Sequence, residues 1–98
     1  MDGTDGLAIT REESPSKGRY AARVDGHEAE LTYSRAGAST IILDHTGVPD
    51  ALRGRGVSRA LVARAVADAR AEKRRIVPLC PFAKGLIART PDWHDVLA

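Results

Sequence analysis

The chain has one cysteine, Cys80, among its 98 residues. No internal disulfide can staple it, and a multi-cysteine zinc knuckle is excluded; no metal site is expected. A lone thiol fits a reducing compartment, so a cytoplasmic setting is expected. Aromatic side chains are scarce too, with one Trp, two Tyr and one Phe, which leaves little for stacking on nucleic-acid bases. Neither sign of charge dominates: 15 Lys and Arg stand against 13 Asp and Glu, a formal net charge of +2. A nucleic-acid partner, which usually shows as a clustered basic face, is therefore not expected. No apolar run approaches the ~18 residues of a membrane span. Met1–Gly6 shows neither the basic nor the apolar region of a leader, so no membrane role is expected. The length suits one domain, which typically holds ~100–200 residues, with a modest core that needs no disulfide help.

What is present is organised by period. Residues 1–6 read as flexible, Leu7-Ala8-Ile9 as a short first strand, and Glu12–Gly18 as a turn. Tyr20, Ala22 and Val24 alternate with Arg19, Ala21 and Arg23; after Asp25-Gly26, Ala29, Leu31 and Tyr33 alternate with Glu28, Glu30 and Thr32. Two half-buried antiparallel strands joined by a two-residue turn are predicted. Ser39–Leu43 is nearly continuous in apolar or β-branched residues, as in a central strand covered on both faces, and it runs on towards Val48. The period then changes. Val57, Leu61, Ala65 and Ala69 form an i,i+4 ridge, with Val62 and Val66 beside it, which predicts an amphipathic helix ending near Lys73. Arg75–Leu79 reads as a strand whose Pro78 cannot donate to a ladder. Phe82–Arg89 reads as a second helix with Pro81 in its first turn. Glu12-Glu13 and Lys73-Arg74-Arg75 read as exposed charge runs.

The junction Arg53-Gly54-Arg55-Gly56-Val57-Ser58 joins the longest strand to the main helix. Its glycines permit close backbone approach. The first amides of the helix have no intrahelical partners, and the helix dipole adds partial positive charge there. Such a junction suits a pyrophosphate, with Arg53 and Arg55 supplying fixed charge; a tight turn with solvated arginines is the plainer alternative. Neither the P-loop pattern nor the dinucleotide fingerprint fits, since Arg59 occupies the third glycine position of the latter.

The junction resembles the pyrophosphate loop of the GNAT acetyltransferases, Gln/Arg-x-x-Gly-x-Gly/Ala, which reads here Arg53-x-x-Gly56-x-Ser58. Ser58 is a departure at the last position. The likeness extends to a group of very small GNAT-like proteins through His45-Thr46-Gly47-Val48 and Pro78-Leu79-Cys80-Pro81-Phe82. The three motifs stand in the right order, and the resemblance covers about residues 19–97. It implies an α/β (α+β) fold, a minimal GNAT acyl-CoA N-acyltransferase domain over residues 11–98 behind a flexible segment, residues 1–10, that includes a short first strand. Its sheet is mixed and mostly antiparallel, with a splayed parallel pair and two main helices.

The implied co-substrate is acetyl-CoA, with Thr46 and Val48 along the pantetheine arm and Arg53, Gly54, Arg55, Gly56, Val57 and Ser58 around the pyrophosphate. The amides of Arg55 to Ser58 would meet the phosphates. The implied activity is acetyl transfer to an amine acceptor, on a protein or peptide or otherwise, by a monomer or weak homodimer. The alternative is a non-catalytic acyl-CoA-binding or interaction module. Gly47, where relatives commonly carry Glu, favours that alternative. Full-length domains of this kind wall the acceptor site with additional helices and a terminal hairpin, so an open acceptor face is expected here.

Acetyl transfer needs a neutral amine, a donor for the developing oxyanion and a proton for the departing thiolate. The N–H of Thr46 or of Val48 is the candidate oxyanion donor. His45 is the candidate base, histidine being the residue type suited to proton transfer at neutral pH; a strand-end His bonded to backbone is the alternative. Cys80 is a proton donor, a nucleophile activated by the following helix N-terminus, or a core thiol. Alternation places Asp44 on the face opposite His45, so the two should not pair. His27, His94, Lys84 and Arg59 read as surface residues.

Overall fold

Asp25 and Gly26 adopt φ of 51° and 79°, the left-handed pair that a two-residue hairpin turn requires. The turn joins β2 (Lys17–Val24) to β3 (His27–Arg35) in the register Tyr20↔Leu31 and Ala22↔Ala29. The computed structural model describes residues 7–98; the flexibility expected over residues 1–6 lies outside the described residues. The remaining elements are β1 (Ile9–Glu13), β4 (Thr40–Gly47), a 3-10 turn at Asp50–Leu52, α1 (Val57–Ala71), β5 (Arg75–Pro78), α2 (Pro81–Ala88) and a second 3-10 segment at Pro91–Val96. The sheet order is β1-β2-β3-β4-β5, antiparallel throughout except for the parallel β4–β5 pair. The α1 connection between those two strands is the crossover that parallel pairing demands.

One face of the sheet meets the helices. Tyr20, Ala22, Leu31, Tyr33, Ile41, Leu43 and Ile76 are buried in the same core cluster as Leu61, Val62, Ala65, Val66 and Ala69 of α1 and Ala83, Leu86 and Ile87 of α2. Each buried aliphatic side chain contributes roughly 1.5–3 kcal/mol, so the α1 ridge is docked by packing more than by helix propensity. The other face carries Arg19, Arg23, Glu28, Glu30 and Thr32, half-buried or exposed. The expectation that β4 is covered on both faces is therefore corrected. Ile41 and Leu43 are buried, Ile42 is half-buried and Asp44 is exposed. Ile42 lies between Ser34 of β3 and Val77 of β5 in the sheet.

The N-terminal region differs more. β1 covers Ile9–Glu13 rather than residues 7–9, and the expected turn shrinks to the link between Glu13 and Lys17. Long-range charge pairing holds this edge strand. The Arg11 guanidinium lies 5.5 Å from the Tyr20 ring centre and 5.9 Å from that of Tyr33. It donates to both carboxylate oxygens of Glu72 at 2.6 and 3.0 Å and to the Tyr33 hydroxyl at 3.1 Å. The Tyr33 hydroxyl in turn donates to Glu13 at 2.7 Å, and Arg74 donates to the same carboxylate at 2.6 Å. Glu13 and Arg74, read from sequence as members of two exposed runs, are thus partners. The clamp fastens β1 to the end of α1.

The Arg74 guanidinium holds the Glu13 carboxyl down at about 2, against an ordinary value of 4.5. A carboxyl depressed by folding stabilises fully above its ordinary value and loses that contribution as pH falls from about 4.5 towards 2. Glu13→Gln should cost on the order of 1 kcal/mol at neutral pH, or about 4–8 °C in melting temperature. The gap from the wild type should close as thermal melts are taken from pH 4.5 towards pH 2. A gap that stays constant over that range would remove the carboxylate from the clamp.

Candidate functional site at the strand gap

The parallel ladder runs only from Thr40↔Arg75 to Leu43↔Pro78. Pro78 has no N–H to carry it further. The next two amides, of Leu79 and Cys80, both donate to the Leu43 carbonyl, at 3.1 and 2.9 Å, and the chain turns into α2. Beyond Leu43, β4 continues to Gly47 in pairing with β3 alone. The two strands therefore part, and a gap opens beside residues 45–48.

Across that gap lies the start of α1. Leu52, 1% exposed, anchors the preceding turn. Gly54 and Gly56 then adopt φ of 76° and 77°, conformations that cost little only for glycine. Gly56 is the N-cap of α1, with no side-chain capping bond and no acidic residue in the first turn. The first helical bond runs from the Ala60 amide to the Gly56 carbonyl at 3.0 Å, which leaves the amides of Val57, Ser58 and Arg59 without intrahelical partners. A cleft of about 330 Å³ lies here, lined by Thr46, Val48, Arg53, Gly54, Ser58 and Phe82.

Five of the eight residues read from sequence as cofactor-binding thus line one cleft, and Gly56 and Val57 begin the helix beside it. Arg55 does not join them. Its guanidinium pairs with Asp25 on the β2–β3 turn at 2.8 Å, and its amide is used by the Leu52 carbonyl at 3.3 Å. A diphosphate group on this loop would therefore meet the amides after Arg55 rather than that of Arg55 itself. Phe82, 42% exposed, was given no role by sequence; its place directly after Cys80-Pro81 was the available signal. A larger hollow, about 510 Å³, lies away from the loop, among Glu13, Lys17, Arg19, Tyr33 and Asp44. Two of its carboxylates are already taken: Glu13 by Arg74, and Asp44 by the Ser34 hydroxyl at 2.7 Å. The cleft beside the gap is the better site.

Cys80 is the N-cap of α2 and is 5% exposed. Its Sγ lies 3.2 Å from Oγ1 of Thr46. Burial pushes this thiol up, but the Thr46 hydroxyl and the amides of Ala83, Phe82 and Thr46 outweigh it and hold the thiol below its ordinary value. The start of α2 supplies the amides of Phe82 and Ala83 as oriented dipoles, and β4 supplies that of Thr46.

His45 lies elsewhere. The β3–β4 register shifts between Thr32 and Tyr33: Tyr33 faces Leu43, Thr32 faces His45, and Asp44 has no opposite number. This one-residue bulge reverses the alternation. Thr46, opposite buried Leu31, joins the core side with Cys80; His45 projects to the open face, where its side chain is 62% exposed. Asp44 shares that face, through its bond to Ser34, which corrects the expectation that alternation separates Asp44 from His45. The structure thus places the two candidate catalytic residues on opposite faces of the sheet at the same gap. Among the weaker candidates, His94 bonds the Ile87 carbonyl at 2.9 Å and Arg59 sits 5.1 Å from the centre of the Trp93 ring. Both ties are structural.

The model of the GCN5-related N-acetyltransferase family matches residues 19–96. Protein NATD1 of Xenopus tropicalis is 40% identical over 69 residues, 67% of this chain and 63% of that protein. The chain therefore spans less than two thirds of that relative. Protein NATD1 of Bos taurus is 31% identical over 88 residues, 88% of this chain and 78% of that protein. The solution structure of a GCN5-like protein from Staphylococcus aureus superposes with a TM-score of 0.70 at 31% identity, covering 96% of this chain and 90% of that one. A ribosomal-protein-alanine N-acetyltransferase from Brucella melitensis shares the fold, with a TM-score of 0.66 at 20% identity over 79% of this chain and 62% of that one.

Thr46→Val keeps the shape of the side chain and removes the hydroxyl beside Cys80. The thiol should then titrate at higher pH, read from thiolate ultraviolet absorbance, and Cys80 is the chain's only cysteine. Alkylation at neutral pH should slow in step. An unchanged titration would show that Thr46 does not support the thiolate.

Proposed function

Because the chain belongs to the GCN5-related N-acetyltransferase family, we propose that it transfers the acetyl group of acetyl-CoA to an amine, with coenzyme A lying along residues 46–48 and against the start of α1. One observation carries this reading. The place where the parallel strands part is also where a cleft is lined by Arg53, the left-handed Gly54 and Ser58, beside the start of α1 whose amides of Val57, Ser58 and Arg59 have no intrahelical partner. The donor set suits a diphosphate: free N–H groups, a helix dipole of the right sign and no nearby carboxylate in the first turn. Arg53 adds charge, and its exposed pair with Asp50 at 3.1 Å is weak enough to exchange for a phosphate. Val48 and Phe82 give the cleft apolar walls for a pantetheine arm.

The two faces then divide the work. A thioester drawn along the cleft reaches the gap on the side of Thr46 and Cys80, where the lowered thiol is placed to protonate the departing thiolate. The amine arrives from the open face, where His45 stands ready to take its proton. The oxyanion falls to a β4 amide beside the gap, since β5 has left that edge of the strand. Alignment across the gap supplies much of the acceleration, on the order of 7–11 kcal/mol in favourable cases. No helix covers the open face among the described residues, which suits an amine on a peptide or protein. The second reading, an acyl-CoA-binding module without turnover, draws support from the opposite facing of His45 and Cys80 and from the bare Gly47.

Acetyl-CoA should raise the melting temperature and give a titratable binding heat. Ser58→Glu should weaken that binding on the order of tenfold or more, because a carboxylate in the first turn repels the diphosphate while suiting the helix dipole. His45→Ala and Cys80→Ala should retain binding and lose most of the thiol release seen with an amine panel, on the order of 10²-fold for a lost base. No binding by the wild type would remove both readings; binding without turnover would leave the module.

A further inference from the structure

Glu30 stands directly opposite Gly47 in the β3–β4 ladder. Its Oε2 lies 3.9 Å from Nε2 of His45. Its Oε1 accepts a 2.7 Å hydrogen bond from Nε of Arg19, and Nη2 of Arg19 donates to Glu28 at 2.6 Å. Hydrogen bonds to that second carboxylate fix the guanidinium, and the guanidinium fixes Glu30. Gly47 matters by what it omits. A Cβ there would come within 3.6 Å of Cγ of Glu30 and 3.1 Å of Nε2 of His45, so the carboxylate and the imidazole meet over the spot that a side chain at position 47 would fill. The other acid on this stretch of β4, Asp44, is turned to Ser34.

We propose that Glu30 is the positioning residue for the acceptor side of the site: aimed by Arg19, its carboxylate orients the His45 ring so that Nδ1 takes the proton of the incoming amine. The proposal rests on the transferase reading above. The ring is exposed and free to turn, so the 3.9 Å separation closes when an amine is bound, as catalytic hydrogen bonds often do. Glu30 then accepts from Nε2–H, which leaves the lone pair on Nδ1. An N–H bond of the ammonium breaks, an Nδ1–H bond forms, and the electron pair stays on the amine nitrogen for attack on the thioester. The Glu30 carboxylate stabilises the imidazolium. Without Glu30 the ring keeps its proton-accepting capacity and loses its aim. The charged groups that face His45 are thus Glu30 from β3, with Arg19 of β2 and Glu28 of β3 behind it, and Asp44 on its own strand.

The test compares the wild type, Glu30→Gln and the double variant Glu30→Gln/Gly47→Glu, which returns a carboxylate to the same place from the neighbouring strand. Imidazole ¹⁵N spectra of His45 should show an excess of the Nε2–H tautomer in the wild type, less in Glu30→Gln, and its return in the double variant. With acetyl-CoA and the best amine of the panel, Glu30→Gln should lower kcat roughly tenfold, part of the 10²–10⁴ that a base supplies, with KM for acetyl-CoA unchanged and activity regained in the double variant. Identical tautomer populations in wild type and Glu30→Gln overturn the proposal whatever the activity. So does a kcat that Glu30→Gln leaves untouched. If the wild type binds acetyl-CoA and turns over no amine, the transferase reading fails and the role falls with it, while the spectra still report whether the pair exists.

Discussion

Leu43 gives its carbonyl oxygen to two amides, those of Leu79 and Cys80, and with that the parallel ladder is spent. A ladder that continued would have filled the edge of β4 with hydrogen bonds and closed the sheet. Pro78 stops it after four pairs, and the chain is diverted at once into α2, so that Cys80 becomes a helix cap rather than a strand residue. The opening, the polarised thiol and the cleft against α1 all follow from this one break in backbone pairing. The stability of the broken edge comes from elsewhere: α1 and α2 share a single buried cluster with β4 and β5, which holds the two strands at a fixed divergence without bonds between their ends.

At the other edge of the sheet the constraint is electrostatic. Ile9 of β1 and Leu7 just ahead of it are partly buried against the apolar core, too little to dock an edge strand. The Arg11–Glu72 fork and the Glu13–Arg74 pair make up the difference, and Tyr20 and Tyr33 lend the guanidinium their ring faces. These groups come from β1, β2, β3 and the chain just past the end of α1. The sheet is therefore fastened by packing on the side of the gap and by charge on the side away from it.

Sequence reasoning recovered what is local and periodic. The hairpin at Asp25-Gly26, the alternation through Tyr33, the α1 ridge and the interruption at Pro78 each follow from a few neighbouring residues, and the Arg53–Ser58 junction follows from its two glycines. What it missed is what depends on residues far apart. Glu13 and Arg74 look like solvated charges until the fold brings them together, and nothing near Arg55 announces Asp25 as its partner. The bulge at Asp44 was illegible for another reason. An extra residue in a strand carries no compositional mark, and the run Ile41–Thr46 reads as smoothly with it as without it. The residue type of His45 suggests a chemistry, while its face depends on a ladder that only β3 could define.

That unpaired residue works on β4 as a frameshift works on a reading frame. Before it, odd-numbered positions face the core; after it, even-numbered positions do. Thr46 reaches Cys80 and His45 reaches Glu30 only because the strand is read in two frames, one for each side of the sheet. The count of residues between Leu43 and Thr46, more than their identity, decides which face of the sheet each side chain meets. A strand one residue shorter here would keep its composition and its hydrogen-bonding capacity, and would turn the two halves of the site inside out.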